Sequence, residues 1–190
     1  MISLVGKTAR GKSAVQHYLL SQGYEKIPTW TTRPKRPGEQ DDVDYHFTND
    51  EDFQNKIEQG FFAEWKAYNT VHGIWYYGSG IEDIRNAKEN SIIILTPAGL
   101  RDVKHLLPES AISILIDADD EITRERLLLR GDNPAEIERR FATDEEDFKD
   151  AEKLVDYVLL NTKDTSLADL ANQIIEYHNK TSANPIPIYR

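Results

Sequence analysis

Short apolar runs alternate along the chain with stretches in which apolar residues recur at helical spacing. The runs predict strands and the periodic stretches predict amphipathic helices. The predicted strands are Ile2–Val5, Glu25–Pro28, Phe61–Lys66, Ser91–Thr96, Ala111–Asp117 and Tyr157–Asn161. The predicted helices are Ser13–Gln22, Asp50–Gln59, Ile81–Glu89, Gly99–Leu107, Asp120–Leu129, Pro134–Val155 and Ser166–Asn179. Such alternation is typical of an α/β fold, in which helices cover both faces of a parallel sheet.

One stretch, residues 29–79, breaks this alternation. It is polar and rich in strand and turn residues, and it predicts a lobe inserted into the α/β core. Two helix starts carry capping signals: Thr48 with Glu51 has the form of a capping box, and Asn133 precedes a first-turn proline. The C-terminal residues 181–190 contain two prolines and predict a loose arm.

Composition narrows the possible functions. The chain has no cysteine, which excludes disulfides, thiolate metal ligands and cysteine nucleophiles. A formal net charge of −10 argues against binding to nucleic acid or to an acidic membrane. The apolar runs are too short to span a bilayer, and the first strand follows Met1 with no room for a signal peptide, so we expect a cytoplasmic protein.

The segment between the first strand and the first helix fits the phosphate-loop pattern G-x(4)-G-K-[ST]. Its residues, with the one that follows, are Gly6, Lys7, Thr8, Ala9, Arg10, Gly11, Lys12, Ser13 and Ala14. Glycines let backbone N–H groups face phosphate oxygens at the positive end of a helix. Lys12 is expected to reach the β- and γ-phosphates of a bound nucleotide, Ser13 to bind Mg²⁺, and Arg10 to add positive charge beside the phosphates. The alternative is an ordinary glycine turn.

A second basic cluster, "TTRPKRPGE" at residues 31–39, would be a solvated loop if it stood alone. It is followed by "DVDYHF", "GFFAEWKAYN" and "WYYGSG" in that order. From Ile2 to about Asn161 this series resembles the guanylate kinase family. The resemblance implies one domain over 1–190: a P-loop kinase core (1–28, 80–118 and 156–180), a nucleoside-monophosphate-binding lobe (29–79), a helical lid (119–155) and a tail (181–190).

The resemblance also implies a reaction, in which ATP with Mg²⁺ phosphorylates GMP, or dGMP, in a monomer or a homodimer. Phosphate of the acceptor would be bound by Arg33, Arg36, Tyr45 and Tyr77. Glu64 would read guanine, whose N1–H and N2–H₂ donors suit a carboxylate, whereas adenine offers an acceptor there. Hydroxyls near the base would come from Thr29 and Ser79.

Arginines in the predicted lid provide the remaining charge. The resemblance assigns the stabilisation of the transferring phosphoryl group to Arg126, Arg130 and Arg140. Because glutamates are interspersed with them, the alternative is a salt-bridged surface helix.

Two departures from the family pattern leave other functions open. Ile94 and Thr96 stand where two aspartates are expected, and residues 68–76 are longer than expected. We predict that Ile94 is buried and that Thr96, at the strand's carboxyl end, contacts the acceptor. The alternatives are a kinase-like module that binds phosphorylated peptides, or a kinase for another nucleoside monophosphate.

Overall fold

The structure is a computed structural model that describes residues 1–183 of the 190. Its strands are β1 (Ile2–Val5), β2 (Glu25–Lys26), β3 (Thr29–Thr31), β4 (Tyr45–Phe47), β5 (Phe62–Thr70), β6 (Gly73–Gly80), β7 (Ser91–Leu95), β8 (Ile112–Asp117) and β9 (Tyr157–Leu160). Its α-helices are α1 (Lys12–Ser21), α2 (Asp50–Glu58), α3 (Ile81–Arg85), α4 (Pro97–Val103), α5 (Asp120–Leu129), α6 (Pro134–Asp147) and α7 (Leu167–Ala183). Short 3₁₀ helices cover Lys104–Leu106 and Ala151–Lys153.

A five-stranded parallel sheet forms the centre of the molecule, in the order β2-β7-β1-β8-β9. Helices α1 and α7 pack on one face through side chains such as Leu19 and Ile174. On the other face Leu100 and Val103 of α4 join a second core cluster. Strands buried on both faces read as continuous apolar runs, which is why they were detectable in the sequence. The predicted α/β fold is confirmed.

A second sheet of four strands, in the order β4-β3-β6-β5, is built from residues 29–80. Strands β5 and β6 form a long antiparallel hairpin that turns at Val71 and His72. Gly73 has φ of 111°, a backbone conformation that favours glycine. Residues 68–76 therefore belong to this hairpin and do not form an irregular loop.

Several predicted boundaries are wrong. Helix α6 ends at Asp147, not Val155, and Asp150 follows in the left-handed conformation, with φ of 63°. Helix α7 continues to Ala183, so residues 181–183 are helical and not part of a loose arm. Thr181 is buried there, which extends the packed face of the helix beyond the predicted end. Residues 184–190 lie outside the described part of the chain.

The caps are partly as predicted. Asn133 caps α6, accepting a hydrogen bond from the N–H of Ala135 at 2.8 Å. Helix α2 is capped by Asn49 and not by Thr48, because the Asn49 side chain accepts from the N–H of Asp52.

The sequence pattern did not predict β3, β4 and β6 as separate strands. Across residues 1–183, no helix combines the length and apolar character that crossing a membrane requires.

Candidate active site

The phosphate-loop segment connects β1 to α1 at the carboxyl end of the central sheet. Gly11 precedes the helix with φ of 103°, and no side chain caps the first N–H groups of α1. Gly6 packs so closely on the carbonyl oxygen of Ile116 that a Cβ atom would collide with it. The loop therefore requires glycine at both positions, and it leaves backbone donors at a helix N-terminus, where anions bind.

Two further loop residues have informative conformations. Ala9 lies in the left-handed region with φ of 57°, a conformation that favours glycine and that costs an alanine about 1 kcal/mol. The Lys12 ammonium donates to the carbonyl oxygens of Gly6 and, at 2.7 Å, of Lys7. Burial lowers the pKa of Lys12 to about 8, an effect that the nearby Asp144 carboxylate partly offsets.

The side chain of Arg10 does not point into the space where nucleotide phosphates were expected to bind. Its side chain is 2% exposed and forms ion pairs with Asp120 and, at 3.5 Å, with Asp117. The Arg10 carbonyl accepts a hydrogen bond from Asn161 at 2.9 Å. Arg10 therefore connects the loop to the end of β8 and the start of α5. Only its Nη2 makes a hydrogen bond, to Asp120, and within residues 1–183 its buried Nε and Nη1 have no hydrogen-bond partner.

A cleft of about 620 Å³ opens between the phosphate loop and the four-stranded sheet. Most of the predicted site residues line it: Gly6, Thr8, Lys12, Ser13, Thr29, Arg33, Arg36, Tyr45, Glu64, Tyr77, Thr96, Arg130 and Arg140. A smaller cleft of about 390 Å³ adjoins the other side of the loop and is lined by Ala9, Gly11, Lys12, Ser13, Ala14, Arg126, Arg130 and Asn161. Three predicted residues line neither cleft: Lys7, Arg10 and Ser79.

One end of the large cleft is a basic and aromatic pocket. Arg33 is buried, donates to Glu39 at 2.7 Å and lies 5.3 Å from the ring centre of Tyr45. The Tyr45 and Tyr77 rings meet edge to face at 6.3 Å. Desolvation and the like charges of Arg33 and two lid arginines lower the pKa of Arg36. Like charges held this close are typical of a site for a multivalent anion.

A carboxylate, Glu64, lies in another part of the cleft wall. It accepts a hydrogen bond from the Ser79 hydroxyl at 2.5 Å, so Ser79 contacts the site through Glu64. Burial raises the pKa of Glu64, although the Ser79 bond opposes this shift. Gly99 packs against the carboxylate, and a Cβ atom there would lie 3.0 Å from Glu64 Oε2.

Of the two positions without aspartates, Ile94 differs from expectation. Ile94 is only partly buried and lines the cleft, whereas Ile92 on the same face of β7 and Ile93 on the opposite face are fully buried. The Thr96 hydroxyl caps α4, accepting from the N–H of Gly99 at 3.0 Å. Thr96 lines the cleft, and its hydroxyl, which accepts one hydrogen bond from the helix, keeps its donor and a second lone pair.

The lid arginines are held by acidic neighbours. Arg130 is bonded to Asp132 at 2.8 Å, and Arg140 is bonded to Asp132 at 3.1 Å and to buried Glu136 at 2.9 Å. The bond from Arg139 is the main cause that lowers the pKa of Glu136 to about 2. Arg126 donates to the carbonyl oxygen of Ala9, at 3.5 Å. Arg130 and Arg140 thus form salt bridges and also line the cleft, so the two alternatives raised for the lid arginines are not exclusive.

The residues of the large cleft that were not predicted include Lys66, Tyr68 and Asp144. Lys66 and Tyr68 follow Glu64 on the same face of β5, so the alternation of the strand could have identified them. Asp144 belongs to an acidic stretch of α6 whose sequence resembles any solvated helix face.

Comparison with known proteins identifies the family. The guanylate kinase family model matches residues 1–177. The chain belongs to the guanylate kinase family. The guanylate kinase of Symbiobacterium thermophilum is 32% identical over 182 residues, which cover 93% of this chain and 81% of the relative. The guanylate kinase of Helicobacter pylori strain 26695 is 34% identical over 170 residues, which cover 85% of this chain and 79% of the relative.

A solved guanylate kinase structure has the same fold. That of Anaplasma phagocytophilum superposes with a TM-score of 0.67 at 19% identity, covering 99% of this chain and 87% of the other. The resemblance inferred from the motifs is therefore confirmed, as is the assignment to nucleotide-binding kinases. This member of the guanylate kinase family is an enzyme of the transferase class.

Proposed function

We propose that the protein transfers the γ-phosphoryl group of ATP to GMP, with Mg²⁺, giving ADP and GDP. The observation that carries this proposal is the convergence of five guanidinium groups on the cleft that the phosphate loop lines. These are Arg33, Arg36, Arg130, Arg139 and Arg140. A chain of net charge −10 has no general reason to concentrate cations there.

The proposed reaction requires positioning and charge neutralisation. An oxygen of the acceptor phosphate attacks the γ-phosphorus, and the bond to the β–γ bridging oxygen breaks, so that ADP leaves with that oxygen. No general base is needed because the phosphate is already ionised. Lys12 and the lid arginines neutralise the charge that spreads over the transferring group. Arg33 and Arg36, with Tyr45 and Tyr77, hold the acceptor.

Guanine recognition is assigned to Glu64. An ionised carboxylate accepts both donors of the guanine Watson–Crick edge, and it repels the lone pair of adenine N1. The hydrogen bond from Ser79 orients this carboxylate, and Thr29 adds a hydroxyl to the same cleft. The adenosine part of ATP would occupy the smaller cleft beside Ala14, Arg126 and Asn161.

Magnesium fits this donor set. Ser13 is exposed, lines both clefts and offers a hydroxyl oxygen, a hard ligand of the kind Mg²⁺ accepts. Within residues 1–183 there is no cluster of three or more His, Asp or Glu side chains suited to a metal. Mg²⁺ would therefore be bound mainly by nucleotide phosphates and water, and it would neutralise their charge.

The domain division follows from these roles. We assign residues 1–28, 80–118 and 156–180 to the core, 29–79 to the acceptor lobe and 119–155 to the lid. Supporting this assignment, the four-stranded sheet lies within 29–80, and α5 and α6 carry the three lid arginines.

The test is an ADP-release assay with GMP, dGMP, AMP, CMP and UMP as acceptors, performed on the wild type and on Glu64→Gln. We expect turnover with GMP, little with AMP, and a selective loss of GMP turnover in the variant. Equal turnover of AMP and GMP would contradict the guanine assignment. Phosphopeptide binding without turnover of any nucleotide would instead support a binding module.

A further inference from the structure

A carboxylate from the lid reaches the phosphate loop. Asp144 Oδ2, on α6, accepts a hydrogen bond from the backbone N–H of Thr8 at 2.6 Å. The Asp144 charge also stabilises the ammonium of Lys12. Thr8 is the third residue of the G-x(4)-G-K-S segment, so this amide is one of the donors that the loop presents to the large cleft.

Helix α6 has two other contacts with the opposite side of the cleft. Asp147 pairs with Lys66 of β5 at 2.5 Å. The N–H of Val71, at the tip of the long hairpin, points to Glu136 Oε2 at 3.4 Å. Three acidic side chains of one helix therefore contact the loop and the hairpin. Of the three, Asp144 is the one that uses a phosphate-loop donor.

A carboxylate and a nucleotide phosphate compete for such a site. Both are oxygen anions that accept from backbone N–H groups and are attracted by the same lysine. If both were present side by side, they would repel each other strongly in a partly buried cleft. A polyphosphate can thus bind fully only when Asp144 has left Thr8, which requires α6 to shift or the side chain to rotate.

On the basis of the kinase function above, we propose that Asp144 is an internal competitor for the phosphate loop. Its carboxylate occupies part of the place of a nucleotide phosphate, and nucleotide binding displaces it. This exchange couples occupancy of the loop to the position of the lid helix that carries Arg140. It also weakens donor binding, because the nucleotide must first break an existing charge-assisted hydrogen bond.

The alternative role for this carboxylate has the opposite sign. If Asp144 helped to hold Mg²⁺ beside the phosphates, its removal would weaken nucleotide binding, and only when Mg²⁺ was present. The direction of the change in affinity therefore separates competition from metal binding.

The decisive experiment is calorimetric titration of the full chain with inorganic tripolyphosphate and with ADP, each with and without Mg²⁺. The variants are Asp144→Ala and the isosteric Asp144→Asn. Glu145→Ala and Glu145→Gln are matched controls, because Glu145 is adjacent, acidic and exposed. We expect Asp144→Ala to bind tripolyphosphate about tenfold more tightly than Glu145→Ala does, with Asp144→Asn intermediate.

A second measurement reports the contact directly. Amide hydrogen exchange at Thr8 should be slow in the wild type and in Glu145→Ala, and faster in Asp144→Ala, because the acceptor is lost. Affinities equal to those of the controls, or weaker, would overturn the competition. So would unchanged exchange at Thr8.

This test is independent of turnover. Tripolyphosphate probes the loop without an acceptor, so an enzyme inactive towards every nucleoside monophosphate would refute the proposed function and leave the competition measurable. Conversely, normal GMP turnover with unchanged affinities in Asp144→Ala would refute only the competition.

Discussion

Replacing Gly99 by alanine tests whether the α4 backbone positions the base-reading carboxylate. The added methyl group would lie 3.0 Å from Glu64 Oε2, 3.2 Å from Glu64 Cδ and 3.3 Å from Thr96 Oγ1. On its other side the carboxylate is held by the 2.5 Å hydrogen bond from Ser79. The carboxylate must therefore move by a few tenths of an ångström, which misaligns its pair of bonds to guanine.

The expected magnitude follows from the loss of one charge-assisted hydrogen bond, about 1–2 kcal/mol. The KM for GMP should rise by roughly 5- to 30-fold, while the KM for ATP stays unchanged. Stability should change little or increase, because alanine within a helix is favoured over glycine by about 0.5–1 kcal/mol. Reduced acceptor affinity in a protein that is no less stable distinguishes a positioning effect from general damage.

The assay is steady-state kinetics with GMP and ATP varied separately, together with urea unfolding. In a double-mutant cycle, Gly99→Ala should add little to Glu64→Gln, since both act on the same carboxylate. A KM for GMP within about twofold of the wild type, or an additive cycle, would refute the reasoning.

Four further results are expected. Lys12→Ala should abolish turnover without changing the far-ultraviolet circular dichroism spectrum, because Lys12 bonds only to loop carbonyls; unchanged turnover would mean that the loop is only a turn. Burial raises the pKa of Glu64, and a protonated Glu64 accepts only one donor from guanine. As the pH decreases, kcat/KM for GMP should therefore start to fall at a pH above about 4.3, the ordinary pKa of a glutamate side chain. In Glu64→Gln the GMP phosphate still titrates, but the part of the pH dependence that is due to Glu64 should be absent. Superimposable pH profiles for the wild type and Glu64→Gln would contradict this prediction. Arg10→Ala should lower the free energy of unfolding, measured in urea, by about 1–3 kcal/mol. The loss is smaller than for a fully buried ion pair because the carboxylates of Asp117 and Asp120 are 42% and 62% exposed and can be rehydrated. An unchanged free energy of unfolding would show that these ion pairs do not stabilise the fold. Thr96→Asp should preserve the α4 cap and raise kcat/KM for GMP by about 1–2 kcal/mol in transition-state terms, whereas a slower variant would show that threonine is no defect.

Local patterns were sufficient for the α/β fold and for the family. Strands β1, β7 and β8 of the parallel sheet are short apolar runs because both of their faces are buried, whereas the edge strands β2 and β9 carry exposed residues. The phosphate loop is contiguous, and its glycines are needed by the backbone itself, so the motif alone located it. The family match likewise depended on the order of short segments such as "AEW" and "WYYGSG", which are readable without coordinates.

Tertiary contacts between residues far apart in the sequence determined the roles of Arg10 and Asp144. Sequence alone could not pair Arg10 with Asp120, 110 positions away, or Thr8 with Asp144, 136 positions away. An arginine in a phosphate loop and an aspartate in an acidic helix have the same local appearance whether they face a ligand or the protein. Their roles depend on which opposite charge folding brings within hydrogen-bond distance, and the packing of α5 and α6 against the loop determines that.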